Sequence, residues 1–212
     1  LGVNAGLIAL FGLQHSIMAR PGFKRGWKQI VPTSLERSVY VVATGIVTCM
    51  TCMLWQPLAG DVWHVHNSVL AATLTALQLL GWSIVVASSF MIDHFELFGL
   101  QQVYYRLIDQ PVPRPTFTKK YLYRFVRHPL QMGMLMGVWA TPHMSTSHMF
   151  LSAMMTMYIT VGLYLEERDL ATFLGRDYEL YRRQVPMILP LSRGFTAKSE
   201  ALDQLNADSA AS

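Results

Sequence analysis

Four apolar stretches dominate the chain: Leu1 to Ala19, Val39 to Ala59, Val69 to Ile92, and a longer region from Leu130 to Leu165 interrupted near Pro142. About 20 apolar residues, rising 1.5 Å each, cross roughly 30 Å of hydrocarbon. The second and third stretches meet that length and the first is marginal. Thr141-Pro142-His143-Met144-Ser145-Thr146-Ser147 reads as a polar turn, which splits the fourth region into Phe125 to Ala140 and His148 to Leu165. Those two segments are expected to form an antiparallel pair of short or tilted helices. The pattern predicts an all-α integral membrane protein with about five transmembrane helices and a cytosolic C-terminal helical segment. Residues 1–191 are expected to form a single transmembrane domain, and the small, polar stretch 192–212 a loose tail.

Composition agrees. Of 212 residues, 52% are hydrophobic and 14% are charged, against about 25% charged in an ordinary soluble domain. Two cysteines exclude a disulfide scaffold. The formal net charge of +4 would suit a nucleic-acid binder if the cations clustered on one folded surface. Instead, all 17 Lys and Arg fall in three segments: Arg20 to Arg37, Arg106 to Arg127, and Arg168 onward. These are alternate loops of the five-helix arrangement, so one orientation puts every cation in the cytosol and leaves Asp61 as the one charged residue outside. Topology and anionic lipid account for the charge, and nucleic acid is excluded as a partner. A multi-pass protein of a bacterial inner membrane is expected. Leu1 then lies outside, and a further upstream helix would return the N-terminus to the cytosol.

Any active site should lie on the cytosolic face, which gathers nearly all ionisable groups. One segment there has Pro111, Pro113 and Pro115, then Phe117-Thr118-Lys119-Lys120-Tyr121-Leu122-Tyr123-Arg124-Phe125-Val126-Arg127-His128-Pro129. Pro129 suits the first turn of a helix, whose free N–H groups could receive a polar or anionic ligand. The competing reading is a basic interfacial anchor. A second segment holds Glu166-Glu167-Arg168-Asp169, Leu174-Gly175, Tyr178, Tyr181-Arg182-Arg183 and Val185-Pro186. Tyr178 and Tyr181, three apart, share one helix face.

Together the two segments, over roughly residues 117 to 190, resemble the isoprenylcysteine carboxyl methyltransferase-like membrane methyltransferases. The resemblance rests on Arg127-His128-Pro129-Leu130-Gln131-Met132-Gly133, the Glu166-Glu167 pair and the spaced tyrosines before Val185-Pro186. Gln131 stands where the motif has Tyr, and Leu174 where it has Phe. The resemblance implies an S-adenosylmethionine site formed by Tyr123, Arg127, His128, Pro129, Leu130, Gln131, Gly133 and Glu166, closed from the cytosolic side by Tyr178, Tyr181 and Arg182. The residue types suit that cofactor: its carboxylate needs cationic or N–H donors, its ammonium and ribose a carboxylate, and its adenine aromatic walls. Methyl transfer then requires alignment, with no metal and no covalent enzyme intermediate.

In the first half, Leu13-Gln14-His15-Ser16, Leu35-Glu36-Arg37-Ser38 and Asp93-His94-Phe95-Glu96 lie at the cytosolic ends of three spans. With these phrases the chain is similar to the methanethiol S-methyltransferase branch of the nurim-like family over nearly its whole length. That implies a small thiol as acceptor. A thiol with a pKa of roughly 8.5 or above is mostly protonated at neutral pH, so it needs a base or a cationic setting. His15 and His94 are the candidates. A prenyl-cysteine carboxylate or a phospholipid amine is the alternative acceptor, favoured by a wide opening between helices. A haem held axially by His15 and His94 is the alternative of another class. Glu36-Arg37 reads as a structural ion pair, Cys49 and Cys52 as apolar fillers, and His64 and His66 beside Trp63 as interface residues. The methionines of 132–136 and 154–157 read as packing, with a substrate tunnel as the minor reading.

Overall fold

The computed structural model describes residues 1–92, 94–113 and 121–189. Asp93, Pro115, Phe117 to Lys120 and the expected tail 192–212 lie outside the described residues. The elements are α1 (Gly2–Ala19), α2 (Pro21–Trp27), α3 (Glu36–Leu54), β1 (Asp61–His64), α4 (Ser68–Ile92), α5 (His94–Leu97), α6 (Leu100–Leu107), a 3-10 turn (Tyr121–Arg124), α7 (Pro129–Trp139), β2 (His143–Ser145), α8 (Thr146–Leu174) and α9 (Arg176–Gln184). The chain is a helical integral membrane protein. Among the described residues, α1, α3, α4 and α8 are long and apolar enough to cross a bilayer.

The expected fifth crossing is only half formed. α7 has 11 residues, which reach about 16 Å, half the hydrocarbon thickness. Its start is fixed by Pro129, whose missing N–H costs nothing in a first turn. α7 lies close against α4, backbone to backbone at three glycines. A methyl group added at Gly81 would sit 2.6 Å from the Gly137 nitrogen, and one at Gly133 would sit 2.6 Å from the Gly81 carbonyl oxygen. Gln78 Nε2 donates to the Gly137 carbonyl at 3.1 Å. Small residues permit this approach, the usual basis of helix association in lipid.

α8 is longer than the pattern indicated. Ser145 caps it by accepting from the His148 N–H, and it runs 29 residues to Gly175, where φ is +58°. At about 43 Å it exceeds the hydrocarbon layer. Glu166 and Glu167 therefore belong to the crossing helix itself, not to a segment that follows it.

The expected polar turn at 141–147 contains a strand. β1 and β2 pair antiparallel, with Trp63 opposite Met144 and His64 opposite His143. Trp63 Nε1 donates to the Thr141 carbonyl at 3.0 Å, and His143 Nε2 lies 2.8 Å from Asp61. At the same end, buried Asn4 ties α1 to the chain beyond α3 through two bonds with the Gln56 backbone, at 2.7 and 2.8 Å. The ends of α1, α4 and α8, with the starts of α3 and α7, gather at the opposite, basic end.

Candidate functional site

Glu167 organises the basic end. Its Oε1 accepts from His128 Nε2 at 2.7 Å, from the Tyr178 hydroxyl at 2.6 Å and from Arg127 Nε at 3.0 Å, and its Oε2 lies 2.9 Å from an Arg127 terminal nitrogen. All four side chains are buried. The two N–H groups of Arg127 Nη1 go to the carbonyls of Arg182 at 2.7 Å and Val185 at 3.1 Å. The backbone N–H groups of Arg127 and His128 go to the carbonyls of Pro186 and Met187. Arg127 thus holds α9 and the residues that follow it against the start of α7.

This buried network leaves one face of His128 open. Its Nδ1 points to Glu166 Oε2 at 3.9 Å, beyond hydrogen-bond range, and the Glu166 side chain is half exposed. Both line a cavity of about 550 Å³ together with Tyr40, Tyr123, Gln131 and Tyr181, within the usual range of about 300–1,000 Å³ for ligand sites. Leu130 and Gln131 are the second and third residues of α7, where a helix has no internal acceptor for the N–H. Tyr181 donates to the Tyr123 carbonyl at 2.6 Å, and burial pushes its phenol up to about 12. Burial likewise raises Tyr123, and burial with the Glu167 hydrogen bond raises Tyr178, so all three hydroxyls stay protonated donors.

A second cavity of about 590 Å³ adjoins the first and shares His15, Leu130, Gln131, Glu166 and Leu170 with it. The rest of its wall is mostly apolar, from α1, α7 and α8, and includes Phe11, Met134 and Met155. His15 thus faces both spaces. The Tyr40 hydroxyl lies 2.9 Å from its ring nitrogens, and Phe11 stacks on it with ring centroids 5.5 Å apart.

Most of the expected cofactor residues therefore come together: Tyr123, Arg127, His128, Leu130, Gln131, Glu166, Tyr178 and Tyr181 line one cavity. Three do not. Pro129 is buried at the helix start, Gly133 is spent on the contact with α4, and Arg182 pairs with Glu179 at 3.2 Å. Arg182 lines a broad recess of about 1010 Å³ on the other side of α8. That recess takes in only Arg127 and Arg182 of the expected set. His94 lines neither of the shared cavities; its ring stacks on Phe90 at 4.3 Å and packs against Phe98 at 4.6 Å.

Several side chains stand differently from their sequence reading. Glu36 pairs with Lys24 at 3.3 Å and Lys28 at 3.7 Å, whereas Arg37 pairs with Glu96 at 3.4 Å, because adjacent helical residues point about 100° apart. Cys49 and Cys52 are on the exposed face of α3 and fill no interior space. Glu167, Arg37 and Tyr40 were not read as site residues. For Glu167 a signal existed: Ser152, Ile159, Leu163 and Glu167 form the buried stripe of α8 at helical spacing. Tyr158, Gly162, Glu166 and Leu170, each four apart, form the stripe that lines the apolar cavity.

Known proteins now bear on this geometry. The chain is 44% identical over 188 residues to a methanethiol S-methyltransferase of Mycobacterium tuberculosis, covering 89% of this chain and 77% of that protein. It is 42% identical over 191 residues to the methanethiol S-methyltransferase of Pseudomonas deceptionensis, covering 90% of this chain and 73% of that one. The chain belongs to the methanethiol S-methyltransferase family. A relative named Nurim, from Xenopus laevis, is 28% identical over 195 residues, covering 87% of this chain and 68% of that protein. No protein-family model and no solved structure matches the chain.

Proposed function

We propose that this protein transfers a methyl group from S-adenosylmethionine to methanethiol, releasing dimethyl sulfide, at a site open to the cytosol of a bacterial inner membrane. The observation that carries the reading is the pair of adjoining cavities, one ringed by His128, Arg127 and four tyrosines, the other by more aliphatic, Met and Phe side chains, that share a wall of His15, Gln131 and Glu166. A two-substrate transfer between a nucleoside and an apolar thiol asks for that division. Family membership supplies the reaction class, and the gathering of cations at this end supports the cytosolic orientation.

The polar cavity has the donor set for the nucleoside. Glu166 would take the ammonium or ribose hydroxyls, the N–H groups of Leu130 and Gln131 the carboxylate, and Tyr123 and Tyr181 the adenine. Arg127 and Tyr178 would act by fixing this wall. When bound, S-adenosylmethionine supplies an electrophilic methyl on a sulfonium. His15 would receive the thiol proton, with Tyr40 holding the ring in place. The apolar surroundings favour the union of a thiolate with a cationic donor, since opposite charges are lost together.

Purified protein incubated with S-adenosylmethionine and methanethiol should release dimethyl sulfide and S-adenosylhomocysteine in equal amounts. Absence of both products, with no S-adenosylhomocysteine binding by calorimetry, refutes the enzyme class; binding without products refutes the acceptor.

A further inference from the structure

Methanethiol has two heavy atoms and fills only a few times the roughly 30 Å³ share of one water. The apolar cavity measures about 590 Å³. Nothing in the transfer to so small a thiol calls for that space.

Two contacts cross the cavity, whose lining runs past them to Phe11 and Met155 on one side and to Phe173 on the other. On one side the Ser16 and Tyr158 hydroxyls meet at 3.2 Å, and at the basic end Arg20 and Asp169 approach to 3.8 Å. Between these two contacts of α1 with α8, Gly162 leaves room: a methyl group added there would meet nothing within 4 Å. Met134 and Met155 form the far wall, with unbranched side chains that adapt to an alkyl chain. The head of any acceptor must reach the shared wall at His15, and the cavity runs from there into apolar surroundings. One end handles the sulfur and the other has hydrocarbon character.

We propose that this cavity is a chain-binding subsite, and that the protein methylates straight-chain alkyl thiols longer than methanethiol. The inference rests on the thiol-methylation reading above. The reaction is unchanged in kind. The thiol proton passes to the base, the thiol sulfur forms a bond to the methyl carbon, and the sulfonium bond to that carbon breaks. The products are an alkyl methyl sulfide and the neutral thioether of the donor, with no change of net redox state.

The test is a series from methanethiol to hexanethiol with the purified full chain, reading sulfide product and KM on free thiol. Each added methylene buried in the cavity should lower KM about fourfold until the space is filled. Butyl methyl sulfide, which cannot react, should raise the melting temperature without any donor present. Gly162→Phe should shift the butanethiol to methanethiol ratio of kcat/KM at least tenfold toward methanethiol and abolish the stabilisation by butyl methyl sulfide. If that variant does not fold, Met155→Trp serves the same purpose. Turnover of methanethiol with a flat or rising KM series overturns the subsite and leaves the methanethiol reading standing. A flat series with phospholipid bound stoichiometrically to the parent protein, and lost in Gly162→Phe, also overturns it and assigns the cavity to an acyl chain. No turnover of any thiol overturns the underlying reading instead.

Discussion

His128 Nε2 lies 2.7 Å from Glu167 Oε1, while His128 Nδ1 faces Glu166 at 3.9 Å. Consecutive carboxylates on α8 thus take opposite sides of one imidazole: Glu167 is buried and spent within the protein, and Glu166 is half exposed in the cavity. Since an ionised carboxylate only accepts, His128 donates to Glu167 through Nε2, and its Nδ1 is the ring nitrogen on the Glu166 side.

Glu167→Ala leaves Arg127 buried without its anion and removes the acceptor of Tyr178. Breaking one half of a buried pair costs about 3–5 kcal/mol. Equilibrium unfolding in mixed detergent micelles should show that loss, with Tyr178→Phe costing less, about 1–3 kcal/mol. A Glu167→Ala protein as stable as the parent would contradict the network.

Glu166→Gln should do the reverse. Its half-exposed side chain has no comparable structural duty, so the melting temperature holds. A charge-assisted bond to the ligand is worth about 1.5–3 kcal/mol, so S-adenosylhomocysteine affinity should fall by about tenfold or more in calorimetry. Unchanged affinity removes Glu166 from the cofactor site.

His15→Gln should lower kcat/KM for methanethiol by about 10²-fold or more at neutral pH, the usual range for loss of a base. The deficit should shrink as pH rises, because thiolate then forms without help. A deficit constant with pH places His15 in binding rather than proton transfer.

Gly133→Leu tests the α4–α7 contact. A side chain at 133 meets the Gly81 carbonyl oxygen at 2.6 Å and the Val85 nitrogen at 3.0 Å, both backbone atoms that cannot swing away. Overpacking of this kind costs about 1–3 kcal/mol. It should also displace Leu130 and Gln131 and weaken cofactor binding, which calorimetry on the folded fraction would read.

Tyr181 gives a pH signature. Its phenol rises from 10.0 to about 12, chiefly through burial. A raised value means the folded state holds the proton more tightly, so this contribution to stability is whole below pH 10 and disappears as pH climbs through about 12. Tyr181→Phe should flatten that alkaline decline in a melting series between those limits.

The apolar runs set α1, α3, α4 and α8, because burying a backbone in lipid requires helices of a length the runs themselves declare. The three cation clusters set which ends share a side. Pro129 marked the start of α7, and the resemblance picked out Tyr123, His128, Gln131, Glu166 and Tyr181, which one cavity unites.

Three matters were settled only by tertiary structure. Glu166 and Glu167 are alike in composition and adjacent in sequence; their 100° separation on α8 makes one a cavity-lining group and the other a buried anion, and which is which depends on where α7 and α9 lie. α7 reads as a crossing in hydropathy alone, yet glycines at 81, 133 and 137 bind it to α4 over 11 residues. His15 and His94 looked equivalent, but packing put one on the shared wall and the other among phenylalanines. Hydropathy and charge are properties of a single segment and can be read along the chain. Which face of a helix meets which neighbour is a property of pairs, and only the packed bundle fixes it.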